Sequence, residues 1–207
     1  MKLKIICGQL EITPGRPDVN YEKIIDAIEK ARSLEADILL LPEMALPGYL
    51  IGDIWEQQTF LDDCTYYAEK IVAATEGICV IFGSVATEPG KLNEDGRVRK
   101  YNALQPLEIS IRGTSLRLGV MLCEDGWTEN YHLNVPQTLA ANGAQLLCNL
   151  SCSPYTLGKN RKRNRLFSAQ ARTAGIPLIY CNNVGIQNNG KNIFTYDGCS
   201  SAYNGDG

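Results

Sequence analysis

The chain has 207 residues, of which 44% are hydrophobic, and a formal net charge of −3. This apolar content is enough for a sizeable core, and the slight acidic excess gives no general attraction for nucleic acid or for an anionic membrane surface. No apolar run is long enough to cross a bilayer or to act as a signal peptide, so we expect one domain in the cytoplasm.

Apolar runs alternate with amphipathic segments along the chain, which predicts an α/β fold with much parallel pairing. Residues 3–9 form an apolar strand, and a helix that Asn20 would cap follows it. The unbroken apolar run 37–42 is typical of a strand covered on both faces. After a loop region up to residue 60, the pattern continues with further elements. They are helices over 61–75, 136–141 and 160–174, and strands over 78–82, 98–104, 107–111, 116–122, 146–150, 178–181, 193–196 and 199–203.

Eight cysteines are present, several of them inside apolar runs. We expect them to be reduced and buried, because a chain of this size does not depend on disulfides. No Cys-x-x-Cys occurs and His132 is the single histidine, so no metal site is expected. Cys148 and Cys152 are interpreted as packing residues.

The strand over 116–122 leads directly into Cys123, Glu124, Asp125 and Gly126. A buried strand that ends in this way can present a thiol nucleophile at the edge of a sheet, with the glycine allowing a sharp turn. The alternative is an inert core cysteine followed by an ordinary loop.

A thiol nucleophile needs a base to accept its proton. His132 lies in a segment typical of a surface turn, which favours an exposed or capping role. Glu43 is the better candidate, because it also ends a strand and the carboxyl ends of parallel strands lie on one side of a sheet. The alternative for Glu43 is a surface or capping acid. No Gly-x-Gly-x-x-Gly follows the first strand and no Gly-x-Ser-x-Gly occurs, which argues against a dinucleotide-binding domain and a serine hydrolase.

Five groups of short motifs occur in order along the chain. They are Leu40-Leu41-Pro42-Glu43-Met44 with Pro47-Gly48-Tyr49, Tyr101-Asn102-Ala103, Leu122-Cys123-Glu124-Asp125-Gly126-Trp127, Asn149-Leu150-Ser151-Cys152-Ser153-Pro154-Tyr155 with Gly158-Lys159 and Arg163, and Asn182-Asn183-Val184-Gly185 with Tyr196-Asp197-Gly198. In these motifs the chain resembles the nitrilase superfamily of carbon-nitrogen hydrolases, and in particular the N-terminal glutaminase domains of glutamine-dependent NAD synthetases.

This resemblance implies an α-β-β-α sandwich with mixed β-sheets and a Glu-Lys-Cys triad. Cys123 would attack the side-chain amide of glutamine, and Glu43 would act as general base and acid. The backbone N–H of Glu124 would help to hold the oxyanion.

The resemblance also implies the residues that bind the substrate. Ser153 and Lys159 would meet the α-amino and α-carboxylate groups, while Tyr49, Glu124 and Trp127 would shape the pocket. The alternative for Ser153 is an ordinary turn residue. The alternative for Lys159 is a solvated charge, since the basic run that it begins is predicted to be mostly a solvated helix face.

The sequence departs from the family at the catalytic lysine. The resemblance places this lysine in a Lys-x-x-Leu-Pro-like segment before the nucleophile strand, but here Leu104 is followed directly by Gln105 and Pro106. We therefore expect a stretch of a few tens of residues to be missing near 104–105, and Lys100 has no motif around it. Residues 1–207 are interpreted as a single nitrilase-like glutamine amidohydrolase domain that lacks this segment and its C-terminal end. No loop of an ATP-dependent synthetase domain is present.

The predicted reaction is hydrolysis of the glutamine side-chain amide through a cysteine thioester. Its ammonia would serve NAD synthesis from deamido-NAD by a synthetase domain or protein outside this chain. No cofactor is expected for the amidase step, since ATP and Mg would belong to the synthetase. The resemblance implies a homo-oligomer, and neither nucleic acid nor a membrane is an expected partner. A stand-alone amidase acting on another small amide is one alternative, and a non-catalytic subunit or scaffold is another, because the catalytic lysine is missing.

Overall fold

Two β-sheets stack face to face in this computed structural model, which describes residues 2–85 and 104–207. The first sheet has three parallel strands with β2 in the centre. Its strands are β1 (Ile5–Cys7), β2 (Ile38–Leu40) and β3 (Cys79–Ile81). All three residues of β2 are buried, as expected for an apolar run that is covered on both faces.

The second sheet is mixed and has the strand order β10-β7-β6-β5-β4. Its strands are β4 (Leu107–Ile111), β5 (Thr114–Leu122), β6 (Leu146–Ser151), β7 (Leu178–Asn182) and β10 (Ser201–Tyr203). The three central strands β5, β6 and β7 are parallel, whereas β4 and β10 are antiparallel at the two edges. A separate hairpin is formed by β8 (Val184–Asn188) and β9 (Ile193–Asp197).

The helices form the outer layers. They are α1 (Pro17–Ser33), α2 (Gln58–Ala73), α3 (Val135–Ala141) and α4 (Lys159–Ala174), with short 3-10 helices at Gly52–Glu56, Cys123–Gly126 and Thr128–Asn130. No helix in the described part of the chain is long and apolar enough to cross a membrane.

Three apolar clusters join the layers. The first lies between α1, α2 and the first sheet and includes Ile28, Leu39 and Ile71. The second cluster lies between the two sheets. The third cluster packs α3 and α4 against the second sheet. Members of the second are Ile38, Leu40, Leu118, Cys148, Leu150 and Cys181, and members of the third are Leu139, Leu147, Phe167, Ala171 and Tyr180. The order of layers is α-β-β-α, which confirms the predicted fold class.

Two local predictions differ from the structure. The first helix begins at Pro17, whose fixed φ suits the first helical position, so Asn20 does not cap it. Asn20 is instead buried inside the helix, where its amide donates to the carbonyls of Thr13 and Leu46 at 2.8 Å. The strand β8 was not predicted, because its sequence contains a glycine and two polar residues. The predicted strand over 98–104 lies outside the described residues except for Leu104, which is not in a strand.

Parallel pairing places the carboxyl ends of several strands at one edge of the sandwich. Leu122, the last residue of β5, is paired with Leu150 near the end of β6. The residues that follow these two strands therefore begin side by side, and Glu43 follows β2 in the facing sheet. Sites in α/β proteins form at such edges.

Candidate active site

Cys123 is the first residue of the 3-10 helix that follows β5. The backbone N–H of Leu122 donates to Oδ2 of Asp125 at 3.0 Å, which stabilises the start of this turn. The role of Gly126 differs from the prediction, because it does not have a positive φ. A Cβ there would lie 2.4 Å from Cε1 of Phe167 and 2.7 Å from Nδ2 of Asn149. Packing, not turn conformation, therefore requires glycine at this position.

The structure brings Glu43 and Cys123 together. Oε2 of Glu43 accepts a hydrogen bond from the backbone N–H of Cys152 at 3.2 Å. The same N–H hydrogen-bonds to the sulfur of Cys123 and lowers its pKa, while the charge of Glu43 acts in the opposite direction. An acid, a thiol and a backbone donor thus converge at one point, as the two strand ends predicted.

The backbone of Glu43 rests directly on Gly83, a residue that the sequence did not single out. A Cβ on Gly83 would lie 2.3 Å from the backbone nitrogen of Met44 and 2.6 Å from Cα of Glu43. Met44 has a φ of 56°, which is uncommon for a residue with a side chain. The position of the acid is therefore set by close backbone packing after β3.

The thiol of Cys123 is protonated at neutral pH. Burial and, to a smaller extent, the charge of Glu43 raise its pKa to about 12. The backbone N–H of Cys152, the Ser151 hydroxyl and the charge of Lys159 act in the opposite direction. A thiol with such a pKa needs a neighbouring base to form the thiolate, which is the nucleophilic form of cysteine.

Lys159 faces Cys123 from the first residue of α4. Its Nζ donates to the carbonyl of Pro154 at 2.9 Å and lies 5.6 Å from the centre of the Trp127 ring. Burial lowers its pKa, and the thiolate form of Cys123 opposes this shift. Lys162 also lies over Trp127, at 5.5 Å, but it forms an ion pair with Glu129. Lys159 is therefore not merely a solvated charge at the start of a helix.

Ser153 lies just beyond β6 and is almost fully buried. Its backbone N–H donates to Oδ1 of Asn182 at 2.9 Å, and its carbonyl accepts from Nδ2 of the same side chain at 3.3 Å. These bonds hold Ser153 in a buried position next to the end of β6.

Tyr49 and Glu124 lie at the rim of the site. The backbone N–H groups of Tyr49 and Leu50 both donate to Oε1 of Gln187, at 3.1 and 3.0 Å. The pKa of Tyr49 is raised by burial and by the charges of Glu43, Cys123, Cys152 and Glu124. Glu124 is exposed, and its Oε1 accepts from the hydroxyl of Tyr131 at 2.6 Å.

Cys152 is buried, in agreement with its interpretation as a packing residue, and it also borders the site. Its sulfur accepts from Nδ2 of Asn183 at 3.2 Å and from Nε2 of Gln187 at 3.9 Å. Cys148 does pack in the core between the sheets. The difference follows from position, since Cys148 lies inside β6 and Cys152 comes after it. All eight cysteines are free.

The described residues include only some of the remaining sequence predictions. His132 is exposed, as predicted. Within residues 2–85 and 104–207, no group of three or more histidine, cysteine or acidic residues could hold a metal ion. Lys100 and the Tyr101-Asn102-Ala103 motif lie outside the described residues. The missing lysine segment near 104–105 stays a prediction.

Comparison with known proteins finds sequence relatives along the whole chain and solved structures with the same fold. No family model matches the chain. The glutamine-dependent NAD(+) synthetase of Xanthomonas campestris pv. campestris (strain 8004) is 30% identical over 233 residues, covering 99% of this chain and 40% of the relative. The enzyme of the same name from Rhodobacter capsulatus is 32% identical over 230 residues, covering all of this chain and 40% of the relative. Among solved structures, an amidase from Nesterenkonia AN1 that is described as a nitrilase-superfamily member has 20% identity and a TM-score of 0.76, covering 99% of this chain and 83% of that one. The chain therefore has the fold of this amidase.

A second solved structure links this nitrilase fold to the sequence relatives. The glutamine-dependent NAD+ synthetase from Acinetobacter baumannii, in complex with ADP, has 24% identity and a TM-score of 0.78, covering 99% of this chain and 42% of that one. The chain spans about two-fifths of the length of the curated relatives it matches.

Proposed function

We propose that this chain hydrolyses the side-chain amide of glutamine, with Cys123 as nucleophile and Glu43 as general base and acid. The observation that carries the proposal is the convergence of both residues, from different sheets, on the backbone N–H of Cys152. The names of the sequence relatives support glutamine as the source of the amide.

The reaction proceeds through a thioester. Glu43 accepts the proton of Cys123, and the sulfur attacks the amide carbon to give a tetrahedral intermediate. The backbone N–H of Glu124 stabilises its negative oxygen. Glu43 returns the proton to the nitrogen, and ammonia leaves. Water then attacks the thioester with Glu43 as base, which releases glutamate and restores the thiol.

Charged and aromatic groups around Cys123 suit the amino-acid end of the substrate. Lys159 offers a cation for the α-carboxylate, and Ser153 contacts the α-amino end. Trp127 and Tyr49 form walls of the pocket, and Glu124 adds a negative charge at the rim. The distances of Lys159 to Trp127 and of Glu124 to Tyr131 support this arrangement.

The ammonia serves a synthetase domain or protein outside this chain, which makes NAD from deamido-NAD in the cytoplasm with ATP and Mg. The glutaminase step needs no cofactor. The working protein is a homo-oligomer. The length of the named relatives supports the link to a synthetase, because this chain matches only about 40% of each.

A second candidate is a stand-alone amidase for another small amide. The fold similarity to the Nesterenkonia amidase favours it, since this chain covers 83% of that protein. In another structure of that amidase, the acetamide moiety of fluoroacetamide is covalently added at the active-site cysteine. A non-catalytic scaffold is a third candidate, based on the missing lysine. Ammonia release from glutamine and from a panel of small amides separates the three.

The direct test is covalent labelling with a glutamine analogue that carries a chloroketone in place of the side-chain amide. We expect a single adduct by intact mass, located on Cys123 by peptide mapping. Cys152→Ala should still be labelled and Cys123→Ala should not. Labelling at another cysteine, or no labelling, would exclude this active site.

A further inference from the structure

Arg163 is fully buried, although it lies in the basic run that the sequence predicts to be mostly solvated. Its two terminal nitrogens donate to the two carboxylate oxygens of Asp197, at 3.3 and 3.2 Å. The guanidinium also lies over the ring of Tyr180, 5.0 Å from its centre. A buried ion pair is weak evidence for stability, because desolvation offsets much of the attraction. The residues around the Arg163–Asp197 pair indicate a role other than stabilising the fold.

Asp197 is linked to Ser153 through one side chain. Nδ2 of Asn182 lies 3.5 Å from Oδ1 of Asp197 and donates to the carbonyl of Gly198 at 3.0 Å. The same amide binds both the backbone N–H and the carbonyl of Ser153. The side chain of Asn182 therefore connects Asp197 to Ser153.

Arg163 is also linked to Lys159. The two residues are four positions apart on α4, so they lie on the same face one turn apart. No side chain caps the start of this helix, where Gly158 has a φ of 78°. The guanidinium donates to Oδ1 of Asn160 at 3.4 Å and so ties this first turn to Asp197.

We propose that the Arg163–Asp197 pair is a positioning device for the amino-acid end of the substrate. It fixes Ser153 and Lys159 relative to Cys123, and thereby makes the site selective for an amide that carries α-amino and α-carboxylate groups. The inference rests on the proposed function and deepens it. Neither member of the pair touches the reacting atoms.

The test separates amino-acid recognition from thiol reactivity. In Arg163→Lys we expect KM for glutamine to rise by about tenfold or more, since small displacements of binding groups are costly. The rate of Cys123 alkylation by iodoacetamide, which lacks both α groups, should change less than about threefold if the nucleophile keeps its position. Arg165→Lys is the matched control, because Arg165 is exposed on the same helix, and it should change neither quantity.

A second variant keeps the inference testable if a single substitution unfolds the protein. Arg163→Met with Asp197→Asn removes both charges, and replacing a buried pair in this way is often neutral for stability. We expect a folded protein, by circular dichroism, with the same high KM. A normal KM for glutamine in this variant would overturn the inference. A fall in the rate of Cys123 alkylation as large as the rise in KM would also overturn it. No turnover of glutamine by the unchanged protein, with normal alkylation, would instead overturn the proposed function.

Discussion

The carboxylate of Glu43 accepts a 3.2 Å hydrogen bond from the backbone N–H of Cys152, so an acid that follows the first sheet is held against the end of a strand in the second. The site therefore lies across the stacking of the two sheets. The apolar cluster between them, which includes Leu40 and Leu150, sets how closely the acid approaches the thiol.

Glu43→Gln should abolish proton transfer while preserving the contact to Cys152, because the amide oxygen can still accept. We expect glutamine hydrolysis to fall by about 10²–10⁴-fold, the usual contribution of a general base. The pKa of Cys123 should also fall, since the charge of Glu43 raises it. Alkylation measured against pH should therefore shift to lower pH. A shift to higher pH would contradict the electrostatic role of Glu43.

Lys159→Met should have the opposite effect on the thiol. The charge of Lys159 lowers the pKa of Cys123, so its removal should raise that pKa and shift alkylation to higher pH. Loss of a charged hydrogen bond to the substrate, about 1.5–3 kcal/mol, should raise KM by roughly 10–100-fold. Lys162→Met is the matched control, since Lys162 is paired with Glu129. Equal effects of the two variants would exclude a specific role for Lys159.

Gly83→Ala should displace Glu43, because the new Cβ would lie 2.6 Å from its Cα. Overpacking of this kind costs about 1–3 kcal/mol in the free energy of unfolding. A displacement near 1 Å should reduce turnover by about 10²-fold. Denaturant unfolding and ammonia release measure the two effects. Ser84→Ala, at the next position, should have little effect on either, and unchanged turnover in Gly83→Ala would refute the positioning of Glu43 by this contact.

Leu118→Ala should destabilise the sandwich, because this side chain is fully buried between the sheets. We expect a loss of about 2–5 kcal/mol in the free energy of unfolding. The control is Leu157→Ala, since Leu157 is 94% exposed. Urea unfolding gives both values. A loss below 1 kcal/mol for Leu118→Ala, on the order of a surface substitution, would show that this core does not hold the sheets together.

The sequence alone determined most of the helices and strands, the class of fold and the candidate nucleophile and base. The unbroken apolar run at β2 predicted a strand covered on both faces, and the structure buries all of it. The abrupt change from apolar strand to Cys123 and to Glu43 marked two strand ends. These features could be predicted because hydrophobic periodicity and turn residues are local properties.

Only the tertiary structure decided which distant groups complete the site. Cys152, Gly83 and the buried Arg163 carry no local signal, because a thiol, a glycine and a charge in a basic helix each have common alternatives. Their roles arise from the stacking of two sheets and the packing of α4 on the second, which join distant residues such as Glu43 and Cys152, 109 positions apart. Such contacts depend on long-range packing, and local sequence patterns do not encode their geometry.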